Sequence, residues 1–283
     1  MMGKLVLCAT PIGNLEDITY RAVNVLMEAD IIAAEDTRHT KKLLSHYNIR
    51  TTLTSYHEHN KMEKGLLLIK CLKEGQTVAL VTDAGTPGIS DPGEDLVKMA
   101  LKEGITVTAT PGPVAAIMAL IISGQSTRRF VFEGFLPTDK REKQFVLNSL
   151  KNEVRTIILY EAPHRLLKTL DILKEVLGNR NITITKELTK KYESVFNATI
   201  EEAIGHYKYN DPRGEYVLVI EGRTINQIKE EEQQAWEDMS IEEHMDIYEK
   251  QGYPQKDAMK LVAKDRGISK REVYSHIHKN NNM

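Results

Sequence analysis

Cysteine is nearly absent from this 283-residue sequence, with Cys8 and Cys71 the only two. Two thiols cannot build a disulfide framework, and both read as buried thiols, one in a strand pattern and one in a helix pattern. No apolar run approaches the ~20 residues of a membrane span, and the N-terminus enters a strand pattern without a signal-peptide profile. A cytoplasmic protein with no membrane partner is therefore expected. An excess of charge is lacking too. With 38 Lys and Arg against 40 Asp and Glu, the net charge is −2, so affinity for nucleic acid has to come from local basic patches. There is no G-x-x-x-x-G-K-[ST] and no G-x-G-x-x-G after a strand, which argues against a P-loop kinase or a standard dinucleotide fold. No Ser/His/Asp arrangement is evident.

What is present is an ordinary globular composition, 41% hydrophobic and 28% charged, in a chain long enough for two domains or for one large domain and an appendage. Apolar segments at 4–9, 30–34, 77–82 and 105–109 alternate with amphipathic stretches near 19–29, 38–47, 60–73 and 93–103. This is βαβ alternation and predicts a mostly parallel sheet. A Thr-rich segment at 51–55 adds a candidate strand, and a small-residue helix is expected over 114–123. After the polar linker 124–129, strand patterns at 130–133, 156–160, 182–186 and 216–221 and a helix at 165–177 predict a second α/β domain. Residues 229–234 read as a charged, solvated connection. From 235 the chain reads as helical. Ser240-Ile-Glu-Glu243 and Ser269-Lys-Arg-Glu272 have capping-box spacing, Pro254 opens a helix that carries Ala258, Leu261 and Val262, and Gly267 ends it. Three short helices with a turn before the last have a helix-turn-helix look, and Lys256, Lys260, Lys264, Arg266, Lys270 and Arg271 make the piece basic. A solvated cap is the plain alternative. The expected organisation is thus an α/β domain over 1–117, a second over 118–224 and a helical tail over 235–283 with RNA as its candidate ligand.

Three expected strands end in rigid Gly/Pro loops: Thr10-Pro-Ile-Gly-Asn, Asp83-Ala-Gly-Thr-Pro-Gly-Ile-Ser-Asp-Pro-Gly and Thr110-Pro-Gly-Pro. Three such ends in one parallel sheet describe a ligand crevice at the carboxyl edge, where open α/β sheets bind their ligands. Two polar loops face the same edge. Ala34-Glu-Asp-Thr-Arg-His and Tyr56-His-Glu-His-Asn offer Arg38 for a substrate phosphate and Asp36, His57 or Glu58 as a base. A metal on His57-x-His59 lacks a third ligand at recognisable spacing. In the second half, Lys186, Lys190, Lys191 and the Lys140-Arg141-Glu-Lys143 loop offer phosphate contacts, or are simply surface charge.

The three Gly/Pro loops and two polar loops, followed by Glu133-Gly-Phe-Leu-Pro and Tyr160-Glu-Ala-Pro-His-Arg, stand in an order that resembles the small-subunit ribosomal RNA methyltransferase I family of the tetrapyrrole methylase superfamily. The resemblance covers about residues 4–224. It implies two α/β domains with S-adenosylmethionine in the cleft between them, a homodimer, and methyl transfer to the 2′-oxygen of a cytidine in the decoding region of 16S rRNA, on the small subunit or the free RNA. It places the cofactor against Ile12, Gly13, Asp83, Ala84, Gly85, Thr86, Ile89, Val114, Ala115, Glu161 and Leu188. Two alternatives stay open: a tetrapyrrole or other small-molecule methyltransferase with the same cleft, and a nucleic-acid-binding regulator whose α/β part senses a ligand.

Overall fold

The computed structural model describes residues 2–234, 236 and 238–280. They form two compact units, one of residues 2–151 and 155–221 and one of residues 152–154 and 222–280.

In the first unit the expected alternation is realised as β1 (Lys4–Leu7), α1 (Tyr20–Glu28), β2 (Ile31–Ala34), α2 (Thr37–His46), β3 (Thr52–Ser55), α3 (Lys61–Lys73), β4 (Val78–Val81), α4 (Gly93–Lys102) and β5 (Thr106–Ala109). The strands pair in parallel in the order β3-β2-β4-β1-β5. Central β4 is buried along its whole length, as expected of a strand covered on both faces. The order matters for the site: β4, β1 and β5 are neighbours, so the three Gly/Pro loops emerge side by side at one edge.

Next comes α5 (Ala115–Ile122), then β6 (Phe130–Phe135), α6 (Lys140–Leu150), β7 (Thr156–Glu161), α7 (Leu166–Leu177), β8 (Asn181–Lys186), β9 (Ser194–Thr199), α8 (Ile200–Tyr209) and β10 (Tyr216–Ile220). The second sheet is mixed, in the order β6-β7-β10-β8-β9, with only β6 and β7 parallel. Helix α5 joins the two sheets: its Ala116, Ala119 and Leu120 share one buried cluster with Ile12 of the first half and Ile158, Leu188, Val217 and Val219 of the second. A boundary at 117/118 therefore cuts through a single helix, and the two sheets make one compact unit.

Three further expectations are corrected. The segment 140–143 is the first turn of α6, not a loop, because Asp139 accepts from the amides of Arg141 (2.9 Å) and Glu142 (3.0 Å) and starts the helix there. Residues 194–209, whose sequence shows no clear element pattern, form edge strand β9 and helix α8, whose start is fixed by the Thr199–Glu202 capping box. Cys8 is buried as expected, whereas Cys71 is only partly so.

The second unit carries α9 (Ile225–Gln234), α10 (Ile241–Lys250), α11 (Gln255–Asp265) and α12 (Lys270–Asn280). Residues 229–234 thus belong to a helix rather than a solvated connection. The capping boxes form as expected: Ser240 and Glu243 bond reciprocally, as do Ser269 and Glu272. Met245, Ala258, Met259, Val262 and Val273 make a small core. Arg266, counted in the basic face, is spent internally. It donates to the carbonyls of Met239 (2.5 Å) and Ser240 (2.8 Å) and to His244 Nδ1 (3.2 Å). The His244 ring is buried against Trp236 (centroids 3.8 Å apart), and burial pushes its pKa down. Among the described residues no helix is long and apolar enough to cross a membrane.

Candidate active site

The three Gly/Pro loops are tied to one another by backbone. Thr10 and Gly85 exchange both amide bonds (2.9 and 3.1 Å), a lone bridge between the β1 and β4 loops. Thr10 Oγ1 donates to the Thr82 carbonyl (3.2 Å), Ala9 N to Thr110 Oγ1 (3.0 Å), and Thr86 Oγ1 to the Pro113 carbonyl (3.1 Å). Gly85 sits at φ +83° with Ile12 Cγ2 and the Pro113 carbonyl close to where a Cβ would be, so only glycine fits the bridge without strain. Asp91 pins the far end of the central loop by accepting from the amides of Gly88, Ile89 and Gly93. Ser90, in the same loop, adopts φ +63°, a strained conformation of the kind that clusters at binding sites.

Above these loops lies a cavity of about 390 Å³. Ile12, Ile89, Val114, Ala115, Leu188 and Tyr160 give it apolar walls, and its charged lining residues are Glu35, Asp91, Glu161 and Glu215. Among the described residues, no Lys, Arg or His lines it. Two of the four carboxylates are compensated nearby. Glu161 is wholly buried and accepts from Ala162 N (2.8 Å) and Thr169 Oγ1 (2.5 Å), with Arg165 Nε at 3.4 Å. Glu215 pairs with Lys190 (2.8 Å). Glu35 accepts one bond, from Thr82 Oγ1 at 2.7 Å. A cavity with acids and no cation favours a positively charged ligand and disfavours a free phosphate.

A second cavity of about 520 Å³ adjoins it and shares Ile12, Ala84 and Glu215 with it. Asp83, His39, Lys42 and Lys190 line this second space. Residues 4–204 match the family model for tetrapyrrole (corrin/porphyrin) methylases. The chain belongs to the tetrapyrrole methylase family. It is 50% identical over 276 residues to a Halalkalibacterium halodurans protein named ribosomal RNA small subunit methyltransferase I, covering 98% of this chain and 95% of that one. A Thermotoga maritima protein of the same name is 46% identical over 222 residues, 78% of this chain and 100% of its own length. Among solved structures, the Thermus thermophilus uroporphyrin-III C-methyltransferase complexed with S-adenosylhomocysteine superposes with a TM-score of 0.56 at 17% identity. It covers 80% of this chain and 100% of its own, so the fold is shared.

Of the family's cofactor positions carried onto this chain, nine line the acidic cavity: Ile12, Ala84, Gly85, Thr86, Ile89, Val114, Ala115, Glu161 and Leu188. Gly13 and Asp83 line the second cavity instead. The candidate bases fare differently. Asp36, His57 and Glu58 line neither cavity. Asp36 caps α2 and accepts from the Arg38 amide (2.7 Å) and guanidinium (2.8 Å), which hold its carboxyl far below the usual range. A carboxylate so acidic is a poor proton acceptor. Glu58 pairs with Lys61 (2.7 Å), and His57 Nε2 lies 3.2 Å from Asn60 Nδ2.

The phosphate candidates are also scattered. Arg38 is paired with Asp36, while Lys140 and Arg141 are exposed on the first turn of α6. Lys186 ends β8, and the Lys191 ammonium lies 5.6 Å from the Tyr192 ring centre. Lys190 is bound by both Glu187 (2.9 Å) and Glu215 (2.8 Å). The sequence places Glu35 at the same sheet edge as Asp83, just past β2, but gives no sign of its role, which the cavity supplies.

Proposed function

We propose that this chain transfers a methyl group from S-adenosylmethionine to the ribose 2′-oxygen of a cytidine in the decoding region of small-subunit ribosomal RNA. The observation that carries the reading is the acidic, cation-free cavity above the three stitched loops. S-adenosylmethionine is a cation through its sulfonium and ammonium groups, and it supplies an already activated methyl when bound. Its adenosyl part suits the apolar walls formed by Ile12, Ile89, Val114, Ala115 and Leu188. Glu35, with accepting capacity left, suits a positive group, and the Thr10–Gly85 bridge holds the cavity floor in place. What these residues contribute to the rate is alignment, which is worth up to ~7–11 kcal/mol of barrier when the reacting atoms are held in line.

The relatives that share the chain's full length favour RNA over a tetrapyrrole as acceptor, and the tail adds exposed cations. Lys256, Lys260 and Lys264 on α11 and Arg271 on α12 stand exposed, a charge pattern suited to a phosphate backbone. Ile117, Ile121 and Ile122 of α5 expose an apolar face, which suits pairing with a second copy of the chain. A homodimer acting in the cytoplasm on the small subunit completes the reading. The test is transfer of labelled methyl from S-adenosylmethionine to small ribosomal subunits lacking the modification, with free rRNA and a tetrapyrrole in parallel. Label in the RNA supports the proposal, and label only in the tetrapyrrole overturns it.

A further inference from the structure

The helical unit of residues 222–280 has a thin core with a titratable ring at its centre. Seven apolar side chains are buried there, two of them alanines, and His244 is buried with them at 0% exposure. A unit so small buries too little apolar surface to absorb the loss of a central contact. The imidazole lies between the Trp236 and Tyr248 rings, with centroids 3.8 and 5.5 Å away. Its Nδ1 accepts a hydrogen bond from Arg266 Nε (3.2 Å). A guanidinium has donors only, so Nδ1 carries no proton and the ring is the neutral Nε2–H tautomer. Nε2 faces Asp265 Oδ2 at 3.4 Å without a hydrogen bond, and that carboxylate accepts from the Tyr248 hydroxyl instead. Arg266 also donates to the Met239 and Ser240 carbonyls (2.5 and 2.8 Å), so one guanidinium ties the end of α11 both to the start of α10 and to the His244 ring.

We propose that His244 and Arg266 form a proton-operated latch in this helical unit: neutral His244 holds Arg266 in place, and a proton on Nδ1 expels it and lets α10 part from α11. A protonated Nδ1 turns from acceptor into donor. Its N–H would then point at the N–H of Arg266, setting two positive groups 3.2 Å apart where a hydrogen bond had been. Among the described residues, the titratable and charged groups that face the ring are Tyr248 on α10 itself and Asp265 and Arg266 at the end of α11. Helix α12 brings the apolar Val273 and Ile277 to this core and keeps Arg271, Glu272 and His276 exposed. Asp265 reaches the Nε2 edge, away from the nitrogen that takes the proton. Burial pushes the imidazole pKa down and the Arg266 charge adds to this, while Asp265 opposes them. With a folded-state value below the unfolded ~6.5, this stability is whole above that pH and falls as pH drops through it. A consequence for binding rests on the function proposed above. Lys256, Lys260, Lys264 and Arg271 keep their spacing only while α11 and α12 are folded together, so small-subunit affinity should fall as the latch opens, although protonation of exposed histidines alone would raise it.

Trp236 is the only tryptophan in the chain and stacks on the ring itself, so its emission reports this unit within the full-length protein. The experiment is urea unfolding followed by that emission at a series of pH values, in wild type, His244→Asn and His244→Phe. Asn keeps an acceptor for Arg266, Phe keeps the stack on Trp236, and neither titrates, so one variant suffices if the other does not fold. Between about pH 7.5 and 5.5 the wild-type folding constant of the unit should fall ~5–10-fold, and that of the variants should stay within about twofold. A wild-type constant that changes less than about twofold over this range, or a variant with the wild-type fall, would overturn the proposal. A protein that shows the Trp236 transition but binds no small subunits at any pH is a different result: it removes the RNA reading and leaves the latch standing.

Discussion

Glu161 is the most deeply buried acid in the α/β unit, and replacing it tests whether the cavity wall depends on it. Its carboxylate serves three donors: the Ala162 amide (2.8 Å), Thr169 Oγ1 (2.5 Å) and, more loosely, Arg165 Nε (3.4 Å). Arg165 in turn donates to the Leu136 carbonyl (2.7 Å), so the cluster ties β7 to the end of β6. Glu161→Gln keeps the shape and an acceptor for Ala162 but removes the charge. Charge-assisted bonds are about twice as strong as neutral ones, so the loss should be ~1.5–3 kcal/mol. Glu161→Ala leaves Thr169, the Ala162 amide and Arg165 without their acceptor, and breaking a buried pair costs ~3–5 kcal/mol. With a urea slope of ~3 kcal/mol/M, E161A should unfold about 1 M or more below wild type and E161Q between the two. Urea unfolding followed by circular dichroism reads this directly. An E161A midpoint equal to wild type would refute the pinning role.

Other consequences are as direct. Asp83→Asn should stabilise the protein at pH 7: a folded-state pKa raised above the unfolded one loses stability as pH rises, so removing the charge restores it. The gain should vanish below the usual carboxylate pKa of ~3.9, as thermal melts across pH would show. Tyr160→Phe takes the acceptor from the Ala116 amide (3.2 Å) at the start of α5 and should cost ~1 kcal/mol, or ~2–4 °C in melting temperature. Truncation after Thr224 should leave a folded protein with unchanged S-adenosylhomocysteine affinity, because the α/β unit ends at Glu221, while its affinity for small subunits should fall. An insoluble truncated protein would contradict the division into two units.

How far the sequence could be read depended on whether a signal was local. Gly85 and the Gly/Pro loops announced the crevice because left-handed backbone and rigid turns leave marks in residue type. The capping boxes at Ser240 and Ser269 were legible for the same reason. Edge strand β9, Ser-Val-Phe-Asn-Ala-Thr, was missed because an exposed edge needs no apolar alternation. The polar first turn of α6 hid a helix whose Leu147 and Leu150 face the core. At the site, chemistry-rich spacing pointed to Asp36, His57 and Glu58, yet a side chain's availability depends on its partners. Asp36 before a helix was readable as an N-cap, and Arg38 two residues on as its partner. Glu35 gained weight only when the strand order placed β2 beside β4.

The central claim is ribose methylation of small-subunit RNA, and alkaline hydrolysis of the labelled product tests it most directly. A 2′-O-methyl group cannot attack the adjoining phosphodiester, so the account predicts label in an alkali-resistant dinucleotide that contains cytidine. Label in a mononucleotide released by alkali would place the methyl group on a base and contradict it.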